Sequence, residues 1–152
     1  MKQYQRNAQI PKNSGGSYET PKEIPEQGLE PKRFVMKEKT GEMLRYAMPL
    51  VNSFPRRDRK LADSLRESML ELYRLITRLE RKYYKKTTLE EADIELAVLR
   101  EFIVLASDKK CSGPKYPPPV TMHQREVWSR YTMEIGKMIG GYKKAIESKS
   151  NG

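Results

Sequence analysis

The sequence contains almost none of the residues that build disulfides and metal centres. Its 152 residues include one cysteine and one histidine. The single cysteine, Cys111, excludes an intramolecular disulfide and suits a reducing compartment, so we expect a cytoplasmic protein. The single histidine, His123, has no cysteine or second histidine with which to share a metal ion. We therefore predict a chain without a metal site or another cofactor.

Long apolar segments and nucleotide-binding motifs are also missing. No run approaches the roughly 18 apolar residues of a membrane-spanning helix, and the first residues, MKQYQRNAQIPKN, lack the apolar region of a signal peptide. The chain has no glycine-rich phosphate loop. His123 lies in a turn before a predicted helix, where a structural role is favoured. No set of side chains forms a catalytic constellation, so we expect a protein that is not an enzyme.

Positive charge, by contrast, is plentiful and unevenly distributed. Thirty lysines and arginines oppose twenty aspartates and glutamates, which leaves a net charge of +10. The net charges of residues 32–54, 55–86, 87–108 and 109–152 are +3, +6, −5 and +6, and the preceding residues are neutral. A net charge of this sign and size favours nucleic acid, an acidic protein or an anionic membrane as the partner.

Apolar residues recur every three or four positions in four segments, a spacing that predicts an all-α protein. The predicted helices span Lys32–Asn52, Arg56 to about Tyr84, Leu89–Ser107 and Thr121 to about Glu147. Pro49 lies inside the first helix and should bend or interrupt its last turns. Pro55 is suited to open the second helix. Residues 108–120, rich in glycine and proline, form the predicted loop before the last helix.

Two helix starts carry capping signals. Residues 88–91 read Thr-Leu-Glu-Glu, and residues 121–124 read Thr-Met-His-Gln. In each segment a hydroxyl at the cap is followed three positions later by Glu or Gln, which is the pattern of a capping box. We therefore expect Thr88 and Thr121 to cap the third and fourth helices.

Residues 1–31 differ from the rest of the chain. They combine proline, glycine and polar residues with balanced charge and no apolar periodicity. Such a segment buries too little apolar surface to offset the entropy lost on ordering. We expect residues 1–31 to be an N-terminal tail that is flexible or extended unless a partner orders it. The helical bundle should then cover residues 32–148, and residues 149–152 a short C-terminal tail.

The second predicted helix has an apolar stripe and a basic back. Its stripe comprises Leu61, Leu65, Met69, Leu72, Ile76, Leu79 and Tyr83. With Leu72 at zero, Arg74, Arg78, Arg81 and Lys85 lie at roughly 180–240° around the helix. This back is either a solvated charged face or a ridge that follows a phosphate backbone, since neighbours along a helix face are about 5–6 Å apart.

Aromatic and further basic residues extend this candidate ridge. Tyr84 is the better candidate for stacking on unpaired bases, because Tyr83 belongs to the apolar stripe. Backbone N–H groups at the start of the helix add an anion-binding end, and the fourth helix carries a second basic row. The candidate nucleic-acid-binding residues are Arg56, Arg57, Arg59, Lys60, Arg74, Arg78, Arg81, Lys82, Tyr84, Lys85, Lys86, Arg130, Lys137 and Lys144. These contacts would be salt-sensitive and carry little base specificity.

The third predicted helix is apolar on two sides. One stripe comprises Leu89, Ala92, Leu96, Leu99 and Ile103, and the other comprises Ile94, Val98, Phe102 and Leu105. The second stripe lies at roughly 160–240° when Leu96 is zero. A helix apolar on two faces should be buried on both, and another protomer is the simplest source of the second surface. The alternative is one broad stripe.

Glycines interrupt the apolar pattern of the fourth predicted helix. Gly136, Gly140 and Gly141 lie in its middle, and each costs about 1 kcal/mol of helix stability relative to alanine. Their presence predicts that a helix or a partner passes close to this helix. Gly136 and Gly140 therefore join Ile94, Val98, Phe102 and Leu105 as the candidate oligomer or partner interface.

The fourth helix also carries a resemblance. Residues 121–146, TMHQREVWSRYTMEIGKMIGGYKKAI, resemble the last helix of the accessory variability determinant (Avd) proteins of diversity-generating retroelements. The shared features are the Thr-x-His-Gln opening and the Ile-Gly-Lys-Met-Ile-Gly-Gly-Tyr run at 135–142. The Ser-Phe-Pro-Arg-Arg connection at 53–57 and the Ala-x-x-x-Leu-x-x-Leu-Arg pattern at 92–100 follow the same family. The resemblance covers about residues 40–148, and the long tail departs from the compact family pattern.

The resemblance implies an antiparallel four-helix bundle that assembles as a homopentameric barrel with a basic surface. Avd proteins have no known catalytic centre. They bind the reverse transcriptase and template RNA of a ribonucleoprotein whose error-prone cDNA serves mutagenic retrohoming, so the RNA/cDNA product is a further expected partner. A membrane is not. Two alternatives remain open: a stand-alone protein of the related family encoded in ribosomal RNA intervening sequences, and an oligomeric scaffold without direct RNA contact.

Overall fold

The computed structural model describes residues 31–81 and 86–151, and this part of the chain is all-helical. Its elements are α1 (Pro31–Asn52), a 3₁₀ helix (Arg56–Asp58), α2 (Arg59–Arg81), α3 (Lys86–Ala106), the four-residue α4 (Lys109–Ser112) and α5 (Met122–Asn151). Apart from Pro31, the predicted N-terminal tail lies outside the described residues, as do Lys82, Tyr84 and Lys85. The prediction of an all-α protein is confirmed.

The first two long helices are antiparallel neighbours. Lys37 near the start of α1 forms an ion pair of 2.8 Å with Glu80 near the end of α2. At the other end of α1, Asn52 accepts a hydrogen bond of 3.1 Å from Arg66 near the start of α2. α1 also contacts α5, where the Lys39 ammonium lies 3.1 Å from a carboxylate oxygen of Glu134. Hydrogen bonds to Glu134 and Glu42 raise the pKa of Lys39 above its usual value.

Antiparallel contacts also join α3 to α5. Asp93 near the start of α3 pairs at 3.1 Å with Lys143 near the end of α5. At the opposite end, Arg125 donates a hydrogen bond of 3.2 Å to Ser107, just after α3. α3 packs against α2 along its other side. The four long helices therefore follow one another around a square, in which α2 lies diagonally across from α5.

The core is built from the predicted stripes. Leu65, Leu72 and Leu79 of α2 are at most 1% exposed, as are Leu96 and Leu99 of α3. The core also includes Met43, Ala47, Val51, Met69, Ile76, Ile103, Trp128, Ile135 and Ile139. Each helix contributes residues spaced three or four positions apart, because only that spacing keeps side chains on one face of a helix.

The two predicted capping boxes have different outcomes. At α5 the box forms as expected: Gln124 N–H donates to the Thr121 hydroxyl at 3.1 Å, and Thr121 N–H donates to the Gln124 side chain at 2.9 Å. At α3 the prediction is wrong, because the helix begins at Lys86 and Thr88 is a buried residue of its first turn. Thr88 and Leu89 are both buried in this part of the helix.

Several predicted boundaries also shift. α1 continues through Pro49, which is exposed, so the proline does not end the helix. Pro55 precedes the 3₁₀ helix instead of opening α2, and its carbonyl accepts the Asp58 N–H at 2.9 Å, an i to i+3 bond. The predicted loop contains α4, which Asp108 caps by accepting the Lys110 N–H and which is followed by Gly113, whose φ of 88° suits glycine.

One of the three glycines in α5 has a neighbour within the protomer. A Cβ on Gly136 would lie 2.6 Å from Nη2 of Arg100, and this guanidinium donates a hydrogen bond of 3.1 Å to the Thr132 carbonyl. Gly136 therefore makes room for an arginine of α3 that crosses α5. Next to Gly140 and Gly141 no described atom beyond the adjoining residues and the local helix backbone lies within 4 Å of such a Cβ.

This difference predicts unequal effects of alanine substitution on stability. Gly141→Ala should raise the free energy of unfolding by about 1 kcal/mol, since alanine is the better helix former. Gly136→Ala should give little or no gain, because the new methyl group displaces Arg100 and its hydrogen bond contributes roughly 1 kcal/mol. Urea unfolding of both variants measures the difference. Equal gains would contradict the assigned contact.

Candidate nucleic-acid interface

The basic back of α2 is exposed because the opposite stripe is buried in the core. Arg74, Arg78 and Arg81 all point to solvent, and we call them the α2 ridge. Arg74 pairs with Glu71 one turn earlier. Arg78 and Arg81 form no ion pair with another described residue. The ridge therefore offers two uncompensated guanidinium groups on successive turns.

A shallow groove follows the α2 ridge and contains an aromatic side chain that the sequence analysis missed. It is lined by the three arginines together with Leu70, Tyr73 and Thr77. Tyr73 is half-buried, and Thr77 donates its hydroxyl to the Tyr73 carbonyl at 2.8 Å. In the sequence, the only sign of this groove is the spacing of Tyr73 and Thr77. They are four residues apart, which places them on one face of the helix beside the ridge.

The basic residues before α2 lie at the other end of the bundle. Arg59 opens α2 and Arg81 closes it, so they are about 33 Å apart along the helix axis at a rise of 1.5 Å per residue. Arg56, Arg59 and Lys60 are exposed. The structure therefore separates the candidate residues of this segment into two clusters. Lys86, exposed at the start of α3, belongs to the end that carries the α2 ridge.

Arg57 is engaged within the protomer. Its guanidinium carbon lies 4.0 Å from the ring centroid of Tyr116, and its Nη2 donates a hydrogen bond of 3.3 Å to the Pro117 carbonyl. These contacts attach the loop before α5 to the 3₁₀ helix. Arg57 was predicted to bind nucleic acid, but its contacts point to a role in holding this loop.

The second basic row lies on α5. Arg130, Lys137 and Lys144 are exposed at intervals of seven residues. Because α2 and α5 are diagonal in the bundle, their outward faces point in opposite directions. Met133, which is 55% exposed, lies between Arg130 and Lys137. One straight nucleic-acid helix therefore cannot lie on both rows of one protomer.

The second apolar stripe of α3 is largely exposed. Ile94, Val98 and Leu105 are 65%, 37% and 42% exposed, while the first stripe is buried. Phe102 is half-buried and lines a cleft with Leu70 of α2. The two-sided pattern is thus two separate faces and not one broad stripe.

Titratable side chains of the described residues are scattered. No group of three or more His, Cys, Asp or Glu residues in this part of the chain is arranged to hold a metal ion. His123 and Cys111 are both exposed. In the described segments no helix has the length and apolar character needed to cross a membrane.

The contacts of Arg57 predict its effect on the loop. Arg57→Gln removes the stacking on Tyr116, worth about 0.5–1 kcal/mol, and a hydrogen bond of about 1 kcal/mol. Amide hydrogen exchange in residues 113–120 should become roughly tenfold faster. Arg56→Gln is the matched control, because Arg56 is exposed and adjacent, and it should leave exchange unchanged. Equal exchange rates in the two variants would contradict the role of Arg57 in holding this loop.

Comparison with known proteins places the chain in a family. Residues 34–146 match the sequence profile of the bAvd-like family. This span contains all of α2, α3, α4 and the 3₁₀ helix, and most of α1 and α5. No curated protein matches the chain. The match covers well over half of the sequence, and the chain belongs to the bAvd-like family.

Proposed function

We propose that this protein is the non-catalytic accessory subunit of a diversity-generating retroelement. It binds the reverse transcriptase and the template RNA, and it supports mutagenic cDNA synthesis. The family assignment sets the biological context. The observation that carries the RNA contact is the α2 ridge, whose Arg78 and Arg81 are exposed without an ion-pair partner among the described residues.

The geometry of the α2 ridge suits a phosphate backbone. Its side chains project from successive turns about 5–6 Å apart, and arginine binds phosphate oxygens through paired N–H donors. The ridge has Leu70 and Tyr73 beside it and no set of polar groups arranged to read base edges. Such a surface binds RNA and an RNA/cDNA duplex alike, because both present the same repeating charge.

The chemistry of this surface also limits what the protein contributes to specificity. Contacts to phosphates position a nucleic acid but do not identify its sequence. In this proposal the choice of template belongs to the reverse transcriptase or to the fold of the RNA. The accessory subunit supplies affinity and holds the RNA near the polymerase.

Self-association completes the proposal. We propose a homopentamer, in line with the resemblance to Avd proteins. Its support in the structure is the exposed apolar stripe of α3, because a row of aliphatic side chains gains free energy when another surface removes it from water. A ring would also repeat the α2 ridge around one particle and increase the avidity for a long RNA.

Neutralising the α2 ridge tests the RNA contact. Replacing Arg74, Arg78 and Arg81 by Gln should weaken RNA binding and reduce the slope of log K against log salt by roughly two units. The measurement is a titration of the purified chain with labelled template RNA at several salt concentrations. The control replaces Arg45, Lys110 and Lys115 by Gln, since these exposed residues carry the same charge on other surfaces.

Two results would contradict the ridge assignment. The first is an unchanged affinity and slope in the ridge variant. The second is an equal loss in the control, which would assign binding to net charge alone. If the unsubstituted chain fails to shift RNA at physiological salt, the protein is a scaffold without RNA contact of its own.

Contact with the polymerase requires a separate measurement. When the tagged chain is co-expressed with the reverse transcriptase of the same retroelement, the two proteins should purify together after nuclease treatment. In this proposal the polymerase contacts a surface other than the α2 ridge, so the variant lacking the ridge should retain the polymerase and carry less RNA when nuclease is omitted. Release of the polymerase by nuclease would show that RNA alone bridges the two proteins.

A further inference from the structure

Two outward faces of the bundle match in spacing and oppose one another in charge. The α3 face consists of Glu91, Ile94, Val98, Glu101 and Leu105. The α5 face consists of Arg130, Met133, Lys137, Gly140 and Lys144. In both faces successive residues are three, four, three and four positions apart. This is the heptad spacing that lets two helices pack side by side along their length.

The α3 face has an apolar centre and an acidic rim. Ile94, Val98 and Leu105 are 65%, 37% and 42% exposed. Glu91 and Glu101 are exposed beside them, and neither forms an ion pair with another described residue. The face therefore presents apolar surface and uncompensated negative charge, so a partner that is both apolar and basic fits it best.

The α5 face offers the complementary surface. Met133 is 55% exposed, and Arg130, Lys137 and Lys144 surround it with positive charge. Beyond its chain neighbours and the local helix backbone, Gly140 has no described atom within 4 Å of the position that a Cβ would occupy. The missing side chain leaves a shallow depression where another helix can approach closely.

We propose that the α3 face of one copy packs along the α5 face of the next copy. The inference rests on the proposed self-association and names the surfaces that produce it. The two faces differ, so the contact is heterologous and generates a ring when the rotation closes. In a square bundle the outward directions of the adjacent helices α3 and α5 are roughly at a right angle. In a closed ring of about four or five copies, the directions from one copy to its two neighbours form a similar angle.

The direction of the helices sets the charge pairs. In a barrel whose axis follows the bundles, every copy points the same way, so α3 and the neighbouring α5 run antiparallel, as they do within one protomer. Val98 then faces Lys137 at the centre of the contact. Glu91 approaches Lys144, and Glu101 lies between Arg130 and Lys137. Each carboxylate lies near a cation, Ile94 approaches Gly140, and Val98 and Leu105 pack on the aliphatic stems of Lys137 and Arg130.

This arrangement also assigns the two basic rows to different partners. The edge of the bundle between α3 and α5 faces the centre of the ring, so α1 and α2 form the outer wall. The α2 ridge stays accessible to RNA around the outside. Arg130, Lys137 and Lys144 are covered by the neighbouring copy and do not bind nucleic acid in the assembled ring.

Charge reversal tests the pairing in the full chain. E91K/E101K and K137E/K144E should each lower the mass measured by light scattering to that of the 17.8 kDa protomer, because like charges meet across the contact. The chain with all four substitutions should recover the mass of the unsubstituted assembly. E38K/E67K changes the charge of exposed residues on other surfaces by the same amount and should leave the mass unchanged.

A cross-link provides a second measurement that does not depend on disrupting the assembly. In a C111S background, V98C/K137C should form disulfides between copies on mild oxidation, visible as a ladder that ends at the number of copies in the ring. V98C/R78C is the control and should form none, because Arg78 lies on the outer wall. Circular dichroism confirms that each variant keeps its helices.

The outcomes separate this inference from the proposed function. An oligomer whose mass is unaffected by both reversals, or one without the V98C/K137C ladder, would overturn the pairing of α3 with α5 but leave self-association in place. Loss of mass in each reversal without recovery in the four-substitution chain would also overturn it. A chain that is monomeric at every concentration would refute the proposed self-association together with the pairing.

Discussion

A four-helix bundle has one hydrophobic core, but α3 carries apolar side chains on two of its faces. Burial of Leu96 and Leu99 against the other helices turns Ile94, Val98 and Leu105 towards solvent, because residues about half a helical turn apart cannot share one face. Full burial of one such aliphatic side chain contributes about 1.5–3 kcal/mol. Covering a row of three exposed aliphatic side chains would therefore favour association. An ordinary surface helix carries only isolated apolar residues on its outer face.

The same constraint determines where the charges lie. Because α2 buries Leu65, Leu72 and Leu79, its arginines can only face outwards, and the corresponding argument applies to the basic row of α5. The two helices are diagonal in the bundle, so their basic faces point away from each other, while the acidic α3 lies between them. This sorting of charge by helix gives the molecule three distinct outer surfaces. One straight nucleic-acid helix cannot lie on both basic surfaces of the same protomer.

Periodicity predicted those parts of the structure that depend on neighbours a few residues apart. The buried stripes and the Thr121 capping box are of this kind. The capping box predicted at Thr88 does not form. The local pattern does not reveal that Thr88 is buried or that α3 begins at Lys86. The contact of Arg57 with Tyr116 could not be predicted for a different reason: Tyr116 lies far along the chain, and no spacing rule brings the two residues together. Residues 82–85, where the sequence placed a stacking tyrosine, lie outside the described part of the chain.

The glycines of α5 differ in a way that the sequence does not reveal. Gly136 and Gly140 are one turn apart and carry the same intrinsic penalty of about 1 kcal/mol, so the sequence alone cannot distinguish them. The space beside Gly136 is taken by the guanidinium group of Arg100 of the same protomer. The space beside Gly140 is open on the described surface, between two lysines and opposite no part of its own bundle. In the proposed ring this space is filled by the α3 face of a neighbouring copy, which is apolar and acidic at the matching heptad spacing. That proposal makes the basic row on α5 part of the assembly and leaves RNA to the α2 ridge.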